Sequence, residues 1–219
     1  MVDAALVTAG LSATGLAFGP PAASPATLRW GPLFDALDGD GDGDYVTAVE
    51  LIYEGYLFHY RRSRVSETPA DARETTLLAG DFFYARGLRL IAARGDAEAV
   101  GLLARLMAAC SQLRSVGAPF GADDALWAYT MGGLAALRAG APSATAAGLF
   151  ERFDAAVADG AAIDVRGMAR EAARRLELRD AAPLERELSG AGAAAASASA
   201  GLPHPSRSPS SSSSAPAGR

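Results

Sequence analysis

From Tyr45 onward the apolar positions Val46, Val49, Ile52, Tyr53, Tyr56, Leu57 and Tyr60 recur at steps of three and four, the repeat of a helix with one buried face. The spacing predicts a second helix over about 75–93 with Leu77, Leu78, Phe82, Ala85, Leu88 and Ile91 inward, stopped by Gly95. Asp96 is placed to cap a third, running to about Ser115 and striped by Val100, Leu103, Leu106, Met107, Cys110 and Leu113. Asp123 or Asp124 opens a fourth with Leu126, Trp127, Thr130, Leu134 and Leu137, Ser143 a fifth around Leu149, Phe150 and Phe153, and Asp164 a sixth with Val165, Met168, Ala172 and Leu176. Leu28 to Leu37 predicts a short leading helix that puts Trp30, Leu33, Phe34 and Leu37 on one face, and Pro183 to Leu188 a last turn. No segment alternates with period two, so the expected class is all-α, a bundle of about six or seven helices.

Breakers divide the chain. Residues 19–27 are a Pro-rich linker, and Asp38-Gly-Asp-Gly-Asp-Gly-Asp44 must be a loop, because three glycines and four like charges oppose any regular element. Residues 1–44 are therefore expected to be an N-terminal segment with linker and acidic loop, 45–188 the helical domain, and 189–219 a disordered Ala/Ser/Pro tail unable to bury enough apolar surface to offset its ordering entropy. His204 in that tail is expected to be a bystander. The apolar stretch from Ala4 to Phe18 has no basic residue before it, and no run reaches the roughly 18 residues of a spanning helix, so neither a signal peptide nor a transmembrane segment is expected and the location is read as cytoplasmic.

Composition sharpens this little. All basic residues are Arg and the formal charge is −5, which gives no general field for nucleic acid. Cys110 is alone, so no intrachain disulfide and no cysteine zinc site can form, and its place on an apolar stripe reads as a small buried hydrophobe.

The candidate chemistry lies between Asp38 and Phe82. Asp38, Asp40 and Asp42 followed by Gly43 match the opening of a calcium-binding EF-hand loop, but the twelfth position is Val49, and Glu50, one residue late, is swung by about 100° on a helix. A solvated acidic turn is the competing reading of that run. His59 has no second ligand at metal spacing. Arg61, Arg62 and Arg64 fall near a helix C-terminus, where they complement the dipole or bind a diphosphate or a partner's carboxylate. Asp81, at helical spacing from Leu77, Tyr84 and Leu88, reads as a carboxylate on a largely apolar face that needs a partner or a polar cavity.

Two stretches, Ala48-Val-Glu-Leu-Ile-Tyr-Glu-Gly-Tyr-Leu-Phe-His-Tyr-Arg-Arg62 and Leu77-Leu-Ala-Gly-Asp-Phe-Phe-Tyr-Ala-Arg-Gly-Leu88, resemble neighbouring helices of the trans-polyprenyl diphosphate synthase family. The Leu-Ala-Gly-Asp-aromatic signature is present. Where the family places Asp-Asp-x-x-Asp for magnesium, this chain has Tyr60, Arg61 and Arg64 after Leu57-Phe58-His59. Tyr129-Thr-Met-Gly-Gly-Leu resembles the family's Lys-Thr helix, with Tyr129 where the diphosphate-binding Lys would stand, and residues 150–167 carry only the scattered Asp154, Asp159 and Asp164 in place of a second motif. The resemblance thus implies a shortened isoprenoid synthase fold without the two carboxylate clusters that ionise an allylic diphosphate.

This pattern is similar to that of the small subunits of two-component polyprenyl synthases, such as heptaprenyl diphosphate synthase component 1 in menaquinone side-chain synthesis. The resemblance implies a non-catalytic subunit, regulatory or setting chain length, with no cofactor of its own and Mg2+ in a catalytic partner, peripheral to the membrane through the complex. Tyr53, Tyr56, Leu57, Phe58, Asp81 and Phe82 are then the candidates for a partner interface or product-tunnel wall, and Asp81 a scaffold residue. A calcium-binding helical protein and an autonomous prenyltransferase are the competing readings.

Overall fold

A computed structural model of the chain describes residues 26–67, 72–160 and 163–190. All their regular elements are helices, eight in number: α1 (Gly31–Asp38), α2 (Gly43–His59), α3 (Arg73–Ala92), α4 (Ala97–Ser115), α5 (Asp124–Arg138), α6 (Ser143–Ala158), α7 (Val165–Ala173) and α8 (Ala182–Ser189). The all-α class follows, with each predicted helix present and the last turn extended into α8. The expectations for Ala4 to Phe18, most of the linker, and the tail beyond Gly190 with His204 lie outside the described residues.

The caps explain most of the starts. Asp42 accepts the backbone N–H groups of Asp44 and Tyr45, Asp96 that of Ala99, and Asp164 that of Gly167. Asp123 precedes α5 but does not cap it; its carboxylate turns away to accept the Gly121 N–H and to pair with Arg114. α5 is the axis of the fold. Every residue from Ala125 to Ala136 is buried, and α1, α4, α6, α7 and α8 pack around it, as expected of a helix apolar on all sides.

α2 and α3 form the closest pair. A Cβ on Gly55 would stand 2.7 Å from the Gly80 carbonyl oxygen, one on Gly87 would stand 2.7 Å from that of Ala48, and one on Gly80 would strike the His59 ring. Backbones can approach this closely only where side chains are missing. The inward face of α3 is therefore Thr76, Ala79, Gly80, Phe83, Gly87 and Ile91, and the expected inward set is corrected. Leu77 and Leu78 face outward, 41% and 65% exposed, and Asp81, about 100° around the helix from Gly80, is on the open side. It is not a carboxylate on an apolar face.

Candidate functional site

The C-terminal half of α2 and the turn after it hold most of the predicted site. α2 ends in a Schellman arrangement: Arg62 N–H donates to Leu57 O at 2.8 Å and Arg61 N–H to Phe58 O at 2.9 Å. Arg61 occupies the left-handed position at φ 58°, the one non-glycine residue with positive φ among the described residues. This turn reverses the chain so that Arg64 comes back alongside α2.

There Arg64 meets two carboxylates with no solvent exposure. Its Nε lies 2.9 Å from Glu54 Oε2 and its Nη1 2.9 Å from Glu50 Oε2, with a further bond from Nη1 to Thr27 O. Glu54 Oε1 also accepts from the Ser63 hydroxyl and the Arg64 N–H, and Glu50 Oε1 accepts the N–H groups of Arg29, Trp30 and Gly31, each at 2.7 Å, at the start of α1. Buried carboxylates are tolerable only when bonded in this way. Burial disfavours the Arg64 cation, but Glu50 and Glu54 outweigh it and hold its pKa above the ordinary arginine value. Arg64 is thus spent inside the chain, joining α1, α2 and the loop at 63–66.

Tyr56, Leu57 and Phe58, expected at an interface or tunnel wall, lie in the chain's own core, and Tyr53 is half-buried. Tyr53 sits edge-on to Trp127 at 4.9 Å, Tyr56 stacks on Phe120 at 5.6 Å, Trp30 stacks on Trp127 at 6.1 Å, and Phe58 stacks on Phe83 at 5.4 Å. Burial pushes the Tyr53 phenol up to about 12 and that of Tyr56 well above its usual range, so both stay neutral. Phe82 is half-buried against Phe83. Asp81 pairs with His59, Oδ1 to Nε2 at 3.2 Å, beside Tyr84. Arg62 is exposed and lies over the Phe120 ring at 4.1 Å.

The acidic loop is shorter than expected, since Asp38 ends α1 and Gly43 and Asp44 open α2 under the Asp42 cap, and arginines engage the carboxylates of the run. Asp38 pairs with Arg138 at 2.8 Å, and Asp42 with Arg94 at 2.8 Å and Arg138 at 3.2 Å, while Asp40 is 63% exposed and 4.0 Å from Arg179. Tyr45 donates from its hydroxyl to Asp96 and lies under Arg138, closing this corner. Among the described residues no three His, Cys, Asp or Glu side chains stand together to hold a metal ion. Cys110 is buried and its thiol is pushed up by burial and by Asp123. Tyr129 is buried, donating to Thr145 O at 3.1 Å, and Asp154, Asp159 and Asp164 are dispersed on the surface.

Sequence reasoning missed Glu50 and Glu54 as interior groups. The signal was available in their spacing: four residues apart on α2, they share one strip with Val46 and Leu57. No helix among the described residues is long and apolar enough to cross a membrane. No family model, curated protein or solved structure matches this chain.

Proposed function

We propose that this chain is a non-catalytic subunit of a two-component polyprenyl diphosphate synthase, docking on a catalytic partner that holds the magnesium and tuning the length of the product. The reading rests on the resemblance in α2 and α3 and is supported chiefly by the division of α3 into two faces. Its small residues pack on α2, while Leu77 and Leu78, which open the Leu-Ala-Gly-Asp segment, point outward. Fully burying a leucine side chain is worth roughly 1.5–3 kcal/mol, so an adjacent pair on one helix suits a partner. At the end of α2, where the resemblance would put metal-binding carboxylates, Arg64 is neutralised from within, and the outward charges are Arg61 and Arg62.

The test is co-expression of the full chain with polyprenyl synthases of the same genome that carry both Asp-Asp-x-x-Asp motifs, followed by prenyl transfer with and without this chain. A stable complex with an altered product length is expected. Leu77→Asp with Leu78→Asp should abolish both effects without lowering the melting temperature. Failure to form any complex, with an unchanged product distribution, would overturn the reading, as would magnesium-dependent elongation of farnesyl diphosphate by the isolated chain.

A further inference from the structure

α3 lies at the edge of the bundle, packed mainly on α2. Its small residues face inward, so its larger aliphatic side chains are left outside. Three large apolar side chains are exposed among the described residues, and two of them, Leu77 and Leu78, are neighbours on this helix. Apolar side chains scattered singly over a surface need no explanation, but an adjacent pair does. Ala85 is also exposed, and Phe82 is half-buried beside it. The outward positions Thr75, Leu78, Phe82, Ala85 and Arg89 recur in steps of three and four, the spacing that keeps one seam along a helix for a second helix to meet.

The charges on this strip are ordered. Glu74 stands in the first turn of α3 and Arg89 in the last. At 100° per residue Glu74, Leu78, Ala85 and Arg89 fall within about 60° of arc, with Phe82 beside them and Asp81 at the edge. Glu74 and Arg89 are exposed, and neither side chain makes an ion pair or hydrogen bond among the described residues. They are about 22 Å apart along the axis, too far to pair with each other on one helix. Each sign suits its own end of the helix dipole, which accounts for the two charges taken singly. It does not account for the seam of Leu78, Phe82 and Ala85 left open between them.

We infer that α3 pairs antiparallel with α3 of a second copy of this chain. Setting Glu74 opposite Arg89 of the second copy places the two-fold axis between positions 81 and 82. Leu78 then meets the small Ala85 of the other copy, twice over, and the two Phe82 rings flank the axis. A parallel pair would instead set Glu74 on Glu74 and Arg89 on Arg89. Antiparallel packing also brings the N-terminus of each helix beside the C-terminus of the other, where the dipoles attract. The two Asp81 carboxylates, each 3.2 Å from its own His59, come to one edge of the interface, and their repulsion works against pairing. One pair of helices buries less than the roughly 1,200 Å² at which stable interfaces begin, so the dimer is weak and dissociates at micromolar concentration. Self-pairing uses the face offered to the proposed synthase partner but requires no such partner.

Sedimentation equilibrium of the full chain between about 1 and 300 μM tests this, with a reversible monomer–dimer equilibrium expected. Leu78→Asp should weaken the dimer at least about tenfold by putting a charge into the seam. Glu74→Arg and Arg89→Glu should each weaken it about fivefold or more, because each sets like charges together at both ends of the pair. Mixed in equal amounts, these two charge variants should pair with each other at the affinity of the parent, since every facing charge is again opposite. Thermal melts identify any variant that fails to fold, and the charge variants, altered only at exposed positions, decide the case if Leu78→Asp does not fold. A chain that stays monomeric throughout this range, a dimer indifferent to Leu78→Asp or to either charge variant, or charge variants that fail to pair when mixed would overturn the inference. A monomeric chain that captures a synthase overturns self-pairing alone, and a dimer that captures none overturns the partner reading alone.

Discussion

Arg64 Nε lies 2.9 Å from Glu54 Oε2, and that carboxylate has no exposure to solvent. With Glu50 also at 0% exposure, one cation serves two interior anions, and removing it leaves both unpaired. Breaking a buried pair from one side costs about 3–5 kcal/mol. Arg64→Met should therefore lose stability of that order in urea unfolding. Arg62→Ala, two residues away on the surface, should lose only about 0.5–1 kcal/mol with its contact to Phe120. Equal losses in the two variants would show that Arg64 is not the keystone of this network.

The α2–α3 contact sets a second pair of expectations. Gly87→Ala would force a methyl group within 2.7 Å of the Ala48 carbonyl oxygen, and a rigid backbone atom cannot move aside as a side chain end can. A loss of about 1–3 kcal/mol is expected, with the two helices pushed apart. Gly101, exposed within α4, has nothing within 4 Å of an added Cβ. There Gly→Ala should stabilise the protein by about 0.4–1 kcal/mol through helix propensity and a less flexible unfolded chain. Opposite shifts of the denaturation midpoint for these two variants are the check.

The same contact explains what could and could not be read from the residues alone. Helix positions were legible because large apolar side chains repeat along them and Asp96 and Asp164 cap them; the Asp42 cap, inside the run expected to be a loop, was not. The orientation of α3 was not. A hydrophobic pattern ranks Leu77 and Leu78 above Ala79 and Gly80, whereas close backbone packing selects for the absence of side chains. Glu50 and Glu54 were hidden for a related reason: an acid in a sequence reads as surface until its bonding partners are placed, and Arg64 reaches them only through the reversal at Arg61. The aromatic residues of α2 were expected to face a partner or a product tunnel, but Trp127 of α5 packs against Tyr53 and Tyr56 instead.

Arg61 marks a strained position. The left-handed conformation costs an ordinary residue roughly 1–2 kcal/mol and glycine almost nothing, and a Schellman turn usually places glycine there. Arg61→Gly should raise the unfolding free energy by about 1 kcal/mol, less whatever contacts its side chain supplies. Measured in urea, a stabilised variant that pairs poorly with the proposed synthase partner would tie the retained arginine to recognition. A destabilised variant would place its value in the fold itself.

Asp124, at the start of α5, gives the fold a pH dependence of known sign. Burial raises its pKa from 3.8 to about 6, and the Arg29 guanidinium at 4.0 Å only partly offsets that effect. The unfolded chain releases this proton near 3.8, so between there and about pH 6 the folded state binds more protons. Stability from this group is thus highest in acid and falls as pH rises through that window, leaving a penalty of roughly 1–3 kcal/mol at neutral pH. Asp124→Asn removes the ionisation. Its melting temperature should exceed that of the parent at pH 7.5, and the gap should shrink as the pH falls through that window and close by about pH 3, where the parent carboxyl is largely protonated in both states. A gap that stays constant between these two values would show that Asp124 titrates alike in the folded and unfolded chain.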